Sequence, residues 1–211
     1  MILTLTGLSG CGKSYLAKRL VEERGFQRFG CDDLIEAKLT RELSGAGLSS
    51  IEGVAKWMGQ PYEQGYAERE AKYLACEREV MREIIAFLAQ RRIDQKEKIV
   101  IDTSGSVIYT GNDVLSALRS SSKVIYMAVP DAELKFMYLQ YLHDPKPVLW
   151  ADNYAPRSGE SGEQTLERCY PQLVRARTAL YGKFAHITLM MDRTHRDQFS
   201  VTRLLQAVGV V

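Results

Sequence analysis

Eight residues near the amino terminus, Gly7-Leu8-Ser9-Gly10-Cys11-Gly12-Lys13-Ser14, constrain this chain more than any others. They follow a short apolar and β-branched run, Met1-Ile2-Leu3-Thr4-Leu5-Thr6. They precede a helical pattern in which Leu16, Leu20 and Val21 share a face. Strand, glycine loop and helix in that order satisfy G-x-x-x-x-G-K-[ST], the phosphate-binding P-loop, in the context that gives the pattern meaning. Gly7 and Gly12 allow backbone angles that side chains forbid, so the loop can turn its amides inward around a phosphate. The helix adds the positive end of its dipole. The pattern assigns nucleotide contacts to Gly7, Gly10, Cys11, Gly12, Lys13, Ser14 and Tyr15. Lys13 reaches the β- and γ-phosphates of ATP, and the Ser14 hydroxyl is a ligand for Mg²⁺. The loop does not name a second substrate.

Length and charge narrow the rest. The 211 residues suit one α/β domain spanning residues 1–211, with a buried core. Lys and Arg number 28 against 26 Asp and Glu, with both signs interspersed, so there is no electrostatic footprint for nucleic acid. No apolar run approaches a membrane span. The first strand starts at Met1 and leaves no room for a signal peptide, so a cytoplasmic location is expected. Cys11, Cys31, Cys76 and Cys169 are scattered without a C-x-x-C pair, which suits a reducing compartment. His143, His186 and His195 have no metal-ligand spacing.

Along the chain, the first helix is expected over residues 13–24 with Gly25 ending it, and a short strand over 26–29. Asp32 and Asp33 follow, either as helix caps or as carboxylates at the sheet edge beside the P-loop. Residues 43–50 read as a polar loop, 51–58 as a short helix and 62–90 as a long helix whose charged residues form a solvated face. Residues 91–98 read as a charged connector. Lys98-Ile99-Val100-Ile101-Asp102 is a buried strand that delivers a carboxylate in the Walker B manner. Thr103-Ser104-Gly105-Ser106 is a hydroxyl-rich turn, either lining a polar pocket or merely tight. Further helices are expected over 112–119, 130–142, 163–183 and 198–208, with strands over 123–129 and 185–189. The stretch 143–162 carries Pro145, Pro147 and Pro156 and breaks the periodicity, as a lid over the phosphates does.

The order of these pieces resembles the shikimate kinases, within the nucleoside monophosphate kinase group of P-loop folds. Gly30-Cys31-Asp32-Asp33-Leu34-Ile35-Glu36 is similar to that family's F-x-D-x-D-x-x-I-E segment. Gly65-Tyr66-Ala67-Glu68-Arg69-Glu70 is similar to its G-F-R-x-x-E. Residues 103–107 are similar to T-G-G-G-S-V, Lys146-Pro147-Val148-Leu149 to the R-P-L-L of the lid, and residues 170–181 to the Y-R-x-L-x-x-x-R-x-x-L-Y helix. The resemblance implies a three-layer α/β/α fold with a parallel five-stranded sheet of order 2-3-1-4-5, an acceptor-binding helical region over 30–92 and a lid over 143–162. It implies an ATP- and Mg²⁺-dependent kinase whose Asp32 contacts the acceptor hydroxyl. The departures bear on the acceptor. Ala67 and Pro171 stand where the family has the two arginines that clamp the shikimate carboxylate, and methyl and pyrrolidine groups cannot replace a charge-assisted clamp. Gly30 stands in place of the family's first Asp, which helps hold Mg²⁺, and Asp102 where the family has Ala.

The combined reading is a kinase that transfers the γ-phosphoryl group of ATP to a small hydroxylated metabolite, with neither nucleic acid nor membrane as partner. Catalysis falls to Lys13, Asp32 and a lid base, Lys146 or Arg157. Acceptor binding falls to Asp32, Asp33, Ser104 and Gly105, and Mg²⁺ to Ser14 with Asp102 in its shell through water. Two alternatives stay open: a kinase for another acceptor, such as a sugar acid, nucleoside or nucleotide, and a non-catalytic ATP-binding regulatory module.

Overall fold

The computed structural model describes residues 1–90, 97–144, 146–191 and 200–209. The connector residues 91–96, with the end of the 30–92 region, as well as Pro145, His195 and the start of the last expected helix, lie outside the described residues.

Alternation along the strands explains the layers. On β3 (Ile99–Asp102), Ile99 and Ile101 enter one core and Val100 the other. On β4 (Lys123–Ala128), Val124 and Tyr126 part from Ile125 and Met127 in the same way. Such strands are apolar on both faces, which a parallel sheet covered by helices on both sides requires. Together with β1 (Ile2–Thr6), β2 (Gln27–Gly30) and β5 (Ile187–Met190) they form a parallel sheet of order β2-β3-β1-β4-β5. This is the order expected from the sequence.

One face carries α1 (Lys13–Arg24) and α9 (Val201–Ala207), with Leu16, Ala17 and Leu20 packed beside Leu204 and Leu205. Gly25 ends α1 at φ 67° and caps the carbonyls of Leu20 and Val21. The other face carries α2 (Cys31–Lys38), α5 (Tyr66–Gln90), α6 (Asn112–Ser121) and α8 (Gly162–Phe184). Between α2 and α5 lie α3 (Thr40–Gly45) and α4 (Ser50–Met58). The expected polar loop at 43–50 therefore begins as helix, because Leu39 and Leu43 are buried one turn apart. Gly65 at φ 77° starts α5 four residues later than the periodicity suggests.

After α7 (Leu134–His143), the stretch expected to be a lid docks on the core. Trp150 is fully buried among Tyr141, Tyr154 and Tyr170. Its amide donates to Glu70 Oε1 at 2.6 Å and to the Tyr66 hydroxyl at 3.1 Å. Among the described residues no helix is long and apolar enough to cross a membrane.

Candidate active site

The loop between β1 and α1 takes its shape from two glycines. Gly7 has φ 149°, and a Cβ there would lie 2.7 Å from the Met127 carbonyl oxygen on β4. Gly12 caps α1 at φ 100°, a left-handed conformation that other residues resist. Lys13 is buried, and its Nζ donates to the carbonyls of Gly7 and Leu8, both at 3.0 Å. Gly10, Gly12, Lys13, Ser14 and the exposed Tyr15 line a cavity of about 300 Å³. Cys11 does not line it. Its side chain is buried in the core with Leu16 and Met127, so only its backbone belongs to the loop, and the thiol is no ready target for oxidation.

Asp32, in the first turn of α2, lines the same cavity. Burial pushes its carboxyl up to about 6, against the pull of the Lys13 ammonium and helped by the Asp102 charge. Because α2 begins at Cys31, directly after β2, Asp32 and Asp33 point about 100° apart. Asp33 faces solvent and pairs with Arg28 at 2.9 Å, so of the two acids Asp32 lines the cavity and Asp33 does not.

Asp102 ends β3, in register with Leu5 and Gly30, and is buried. Its Oδ2 accepts from Arg28 Nη2 at 2.7 Å and Nε at 3.1 Å, while Oδ1 is buried without a partner. The Ser14 hydroxyl and one free carboxylate oxygen are hard oxygen donors. Mg²⁺ is held by such a set, one or two protein oxygens with phosphates and waters supplying the rest. Among the described residues no cluster of three acidic, histidine or cysteine side chains forms an all-protein cage. Ser14, in the cavity wall, thus fits a nucleotide-bound Mg²⁺, whereas Asp102 is buried and does not line the cavity.

The turn after β3 is arranged differently from the expectation. Gly105 lines the cavity, but Ser104 is buried behind it and gives its hydroxyl to Glu77 Oε1. Ser106 donates to Glu77 Oε2 at 2.6 Å. Glu77 is fully buried on α5, which corrects the reading of that helix's charges as a solvated face. Lys146 lines the cavity, with its ammonium shared between Glu52 on α4 and Asp144. Arg157 is exposed and lies outside the cavity, so the structure does not bring it to the site. Ala67 and Pro171 are both exposed and line no part of the cavity.

Arg177 falls on the second arginine of the helix motif at 170–181, but the sequence reasoning gave it no site role. It is buried in the cavity wall, donating to the Leu149 carbonyl at 2.5 Å and the Gly105 carbonyl at 3.5 Å, with Tyr109 under its guanidinium at 5.5 Å. It ties the turn after β3 to the segment after α7. The available signal was spacing: Tyr170, Leu173, Val174 and Arg177 form one buried helical stripe, and a guanidinium in such a stripe has a task. Glu77, between Tyr73 and Val80, Met81 and Ile84, carries the same signal.

Comparison with known proteins agrees with this geometry. The family model described as AAA domain matches residues 2–135. A shikimate kinase of Actinobacillus succinogenes is 26% identical over 189 residues, covering 89% of this chain and 84% of that protein. One from Francisella tularensis subsp. novicida is 28% identical over 186 residues, covering 88% and 82%. Among solved structures, shikimate kinase from Acinetobacter baumannii in complex with shikimate has a TM-score of 0.63 at 22% identity, over 98% of this chain and 92% of that one. The Bacteroides thetaiotaomicron shikimate kinase has a TM-score of 0.61 at 19% identity, over 99% and 98%. The chain therefore belongs to the AAA domain family, as a P-loop kinase domain built on the shikimate kinase-like, nucleoside monophosphate kinase-type fold.

Proposed function

We propose that this protein is an ATP-dependent small-molecule kinase that transfers the γ-phosphoryl group of ATP to a hydroxyl of a small metabolite. One observation carries the reading: the P-loop and Asp32 line one cavity, with burial pushing the Asp32 carboxyl up to about 6. A base near neutrality, in the same cavity as a phosphate cradle, is suited to taking the proton of an attacking hydroxyl. The acceptor oxygen forms the new bond to the γ-phosphorus, the bond to the β-phosphate oxygen breaks, and the hydroxyl proton passes to Asp32. Lys13 and the cavity-lining Lys146 offset charge on the transferring group. Ser14 would hold Mg²⁺, with Asp102 in its shell through water, and the ion when bound neutralises phosphate charge.

The relatives named shikimate kinases favour a shikimate-like acceptor. A different hydroxylated acceptor is favoured by Ala67 and Pro171, which supply no guanidinium to the cavity. The four free cysteines suit a reducing, cytoplasmic setting. The test is ADP release with Mg·ATP and a panel of hydroxylated metabolites that includes shikimate. With an accepted substrate, Lys13→Ala and Asp32→Asn should each lower kcat by roughly 10²-fold or more. In the parent enzyme kcat/KM should rise with pH through about 6, as Asp32 loses its proton, and level off above. A parent protein that binds ATP yet transfers phosphate to nothing in the panel would favour a regulatory ATP-binding module.

A further inference from the structure

The turn after β3 is held more firmly than a connection between two elements needs. Ser104 and Ser106 give their hydroxyls to the two oxygens of Glu77 on α5, and the Ser106 amide donates to Ser104 Oγ at 3.0 Å. From α8, Tyr181 and Arg177 both donate to the carbonyl of Gly105, the residue between the serines. Three consecutive residues are thus gripped by side chains of two helices. Gly105 is the one of them that lines the cavity. A Cβ there would lie 3.3 Å from the Ser9 amide nitrogen and 3.8 Å from the Gly7 carbonyl oxygen, so the turn rests against the phosphate loop itself. Gly105 is not among the glycines of positive φ, so it is a glycine for closeness and not for conformation.

A carboxyl is a costly way to hold a turn. Glu77 is fully buried, and an apolar side chain would fill the same space without the cost of desolvating a charge. Its neighbours on that face of α5, Tyr73, Val80, Met81 and Ile84, already supply the packing. What a carboxyl adds is two acceptors at a fixed spacing, one for each serine flanking Gly105. Resting on the phosphotransferase reading above, we propose that Glu77 is a positioning residue for phosphoryl transfer. Through Ser104 and Ser106 it fixes Gly105 against the P-loop, and so sets the shape of the cavity wall where the acceptor meets the phosphoryl group. Glu77 itself lies behind that wall and touches neither. Small displacements matter in such a site, because reacting atoms must be held about 3–3.5 Å apart and a shift of about 1 Å costs on the order of 10²-fold in rate.

Phosphoryl transfer is read as ADP release from Mg·ATP, with an accepted metabolite of the panel or with water as acceptor. ADP affinity by calorimetry and the melting temperature are measured alongside. Glu77→Leu removes both acceptors and fills the space. Well below its melting temperature it should lower kcat about 10- to 100-fold and leave ADP affinity within about twofold, because the P-loop's own amides hold ADP. Glu77→Gln keeps both links, since a serine hydroxyl accepts as well as donates, and should restore kcat to within about threefold of the parent. Ser106→Ala cuts one link, should lower kcat about 3- to 10-fold, and carries the test if Glu77→Leu fails to fold by circular dichroism. Parent-like kcat in Glu77→Leu, or in Ser106→Ala where that variant carries the test, overturns the proposal, since a merely structural Glu77 would lower the melting temperature alone. A kcat that stays low in Glu77→Gln overturns it too, because the charge and not the position would then be at work. A parent protein that releases no ADP with any acceptor, water included, overturns the phosphotransferase reading and the proposal with it, so the two failures are told apart.

Discussion

Glu77 shows what one buried charge does to this fold. It is fully buried, its two oxygens held by the hydroxyls of Ser104 and Ser106, and burial pushes it up to about 7 despite those hydrogen bonds. A carboxyl whose folded pKa is raised binds its proton more tightly when folded. It therefore favours folding below the ordinary glutamate range, and that contribution is lost as pH rises through about 7. Glu77→Gln, which keeps the shape and cannot ionise, should flatten the fall in melting temperature between pH 5 and 8. The difference corresponds to a stability on the order of 3 kcal/mol. Identical pH profiles for variant and parent would show that Glu77 does not titrate in that window. In the sequence, Glu77 looks like any other charge on a long helix, because burial is decided by neighbours from the turn at 104–106. The choice between Asp32 and Asp33 was illegible for another reason. It depends on the phase of α2, and α2 starts with no loop after β2, which no residue in Gly30-Cys31-Asp32-Asp33 announces.

At the scale of elements, patterns that rest on local periodicity were readable. The strand–loop–helix start, α1, α6 and β3 fall where their apolar spacing and punctuation put them. The stretch at 143–162 shows the limit. Proline and glycine content marked it as irregular, but could not reveal that its middle is fastened to α5. Glu70 Oε1 takes the Tyr66 hydroxyl at 2.8 Å and the amides of Trp150 and Ala151 at 2.6 and 3.0 Å. Segment 148–151 is thus fastened to the core, with Val148 in the cavity wall. Glu70→Ala leaves the Ala151 amide without an acceptor and the Trp150 amide with the Tyr66 hydroxyl alone, and should cost about 1–3 kcal/mol in chemical unfolding. Hydrogen exchange should quicken at residues 150 and 151 while staying unchanged in β1 and β3. Unaltered protection at those two amides would show that aromatic packing alone holds the segment.

For the whole molecule, the succession of apolar strands, each of which needs cover on two faces, points to a parallel sheet between helical layers, while its strand order was implied by the resemblance to the shikimate kinases. The site was only partly legible because its decisive contacts span the chain. Arg28 meets Asp102 74 positions away, Glu77 meets Ser104 across 27, and Arg177 meets Gly105 across 72. No window of sequence contains such a pair. Lys13, Ser14 and the pair Asp32–Asp33 were readable as candidates because each lies at its own strand-to-helix turn, and Lys13, Ser14 and Asp32 line the cavity. Arg157 was read as a lid base from composition alone, and it lies on the surface.

The burial of Trp150 also gives the protein an optical signal of its own. The chain has 2 tryptophans. Trp150 has no solvent exposure and its indole N–H donates to the Tyr141 hydroxyl at 3.3 Å, whereas Trp57 is half-buried on α4. Tyr141 and Tyr170 touch both the indole and the cavity. In Trp57→Phe the remaining emission should be blue-shifted, resistant to quenching by iodide, and fed by energy transfer from those two rings. Adding candidate acceptors to the ADP complex should then change its intensity without labelling, so that ligands of the cavity can be sorted by fluorescence before any turnover is measured.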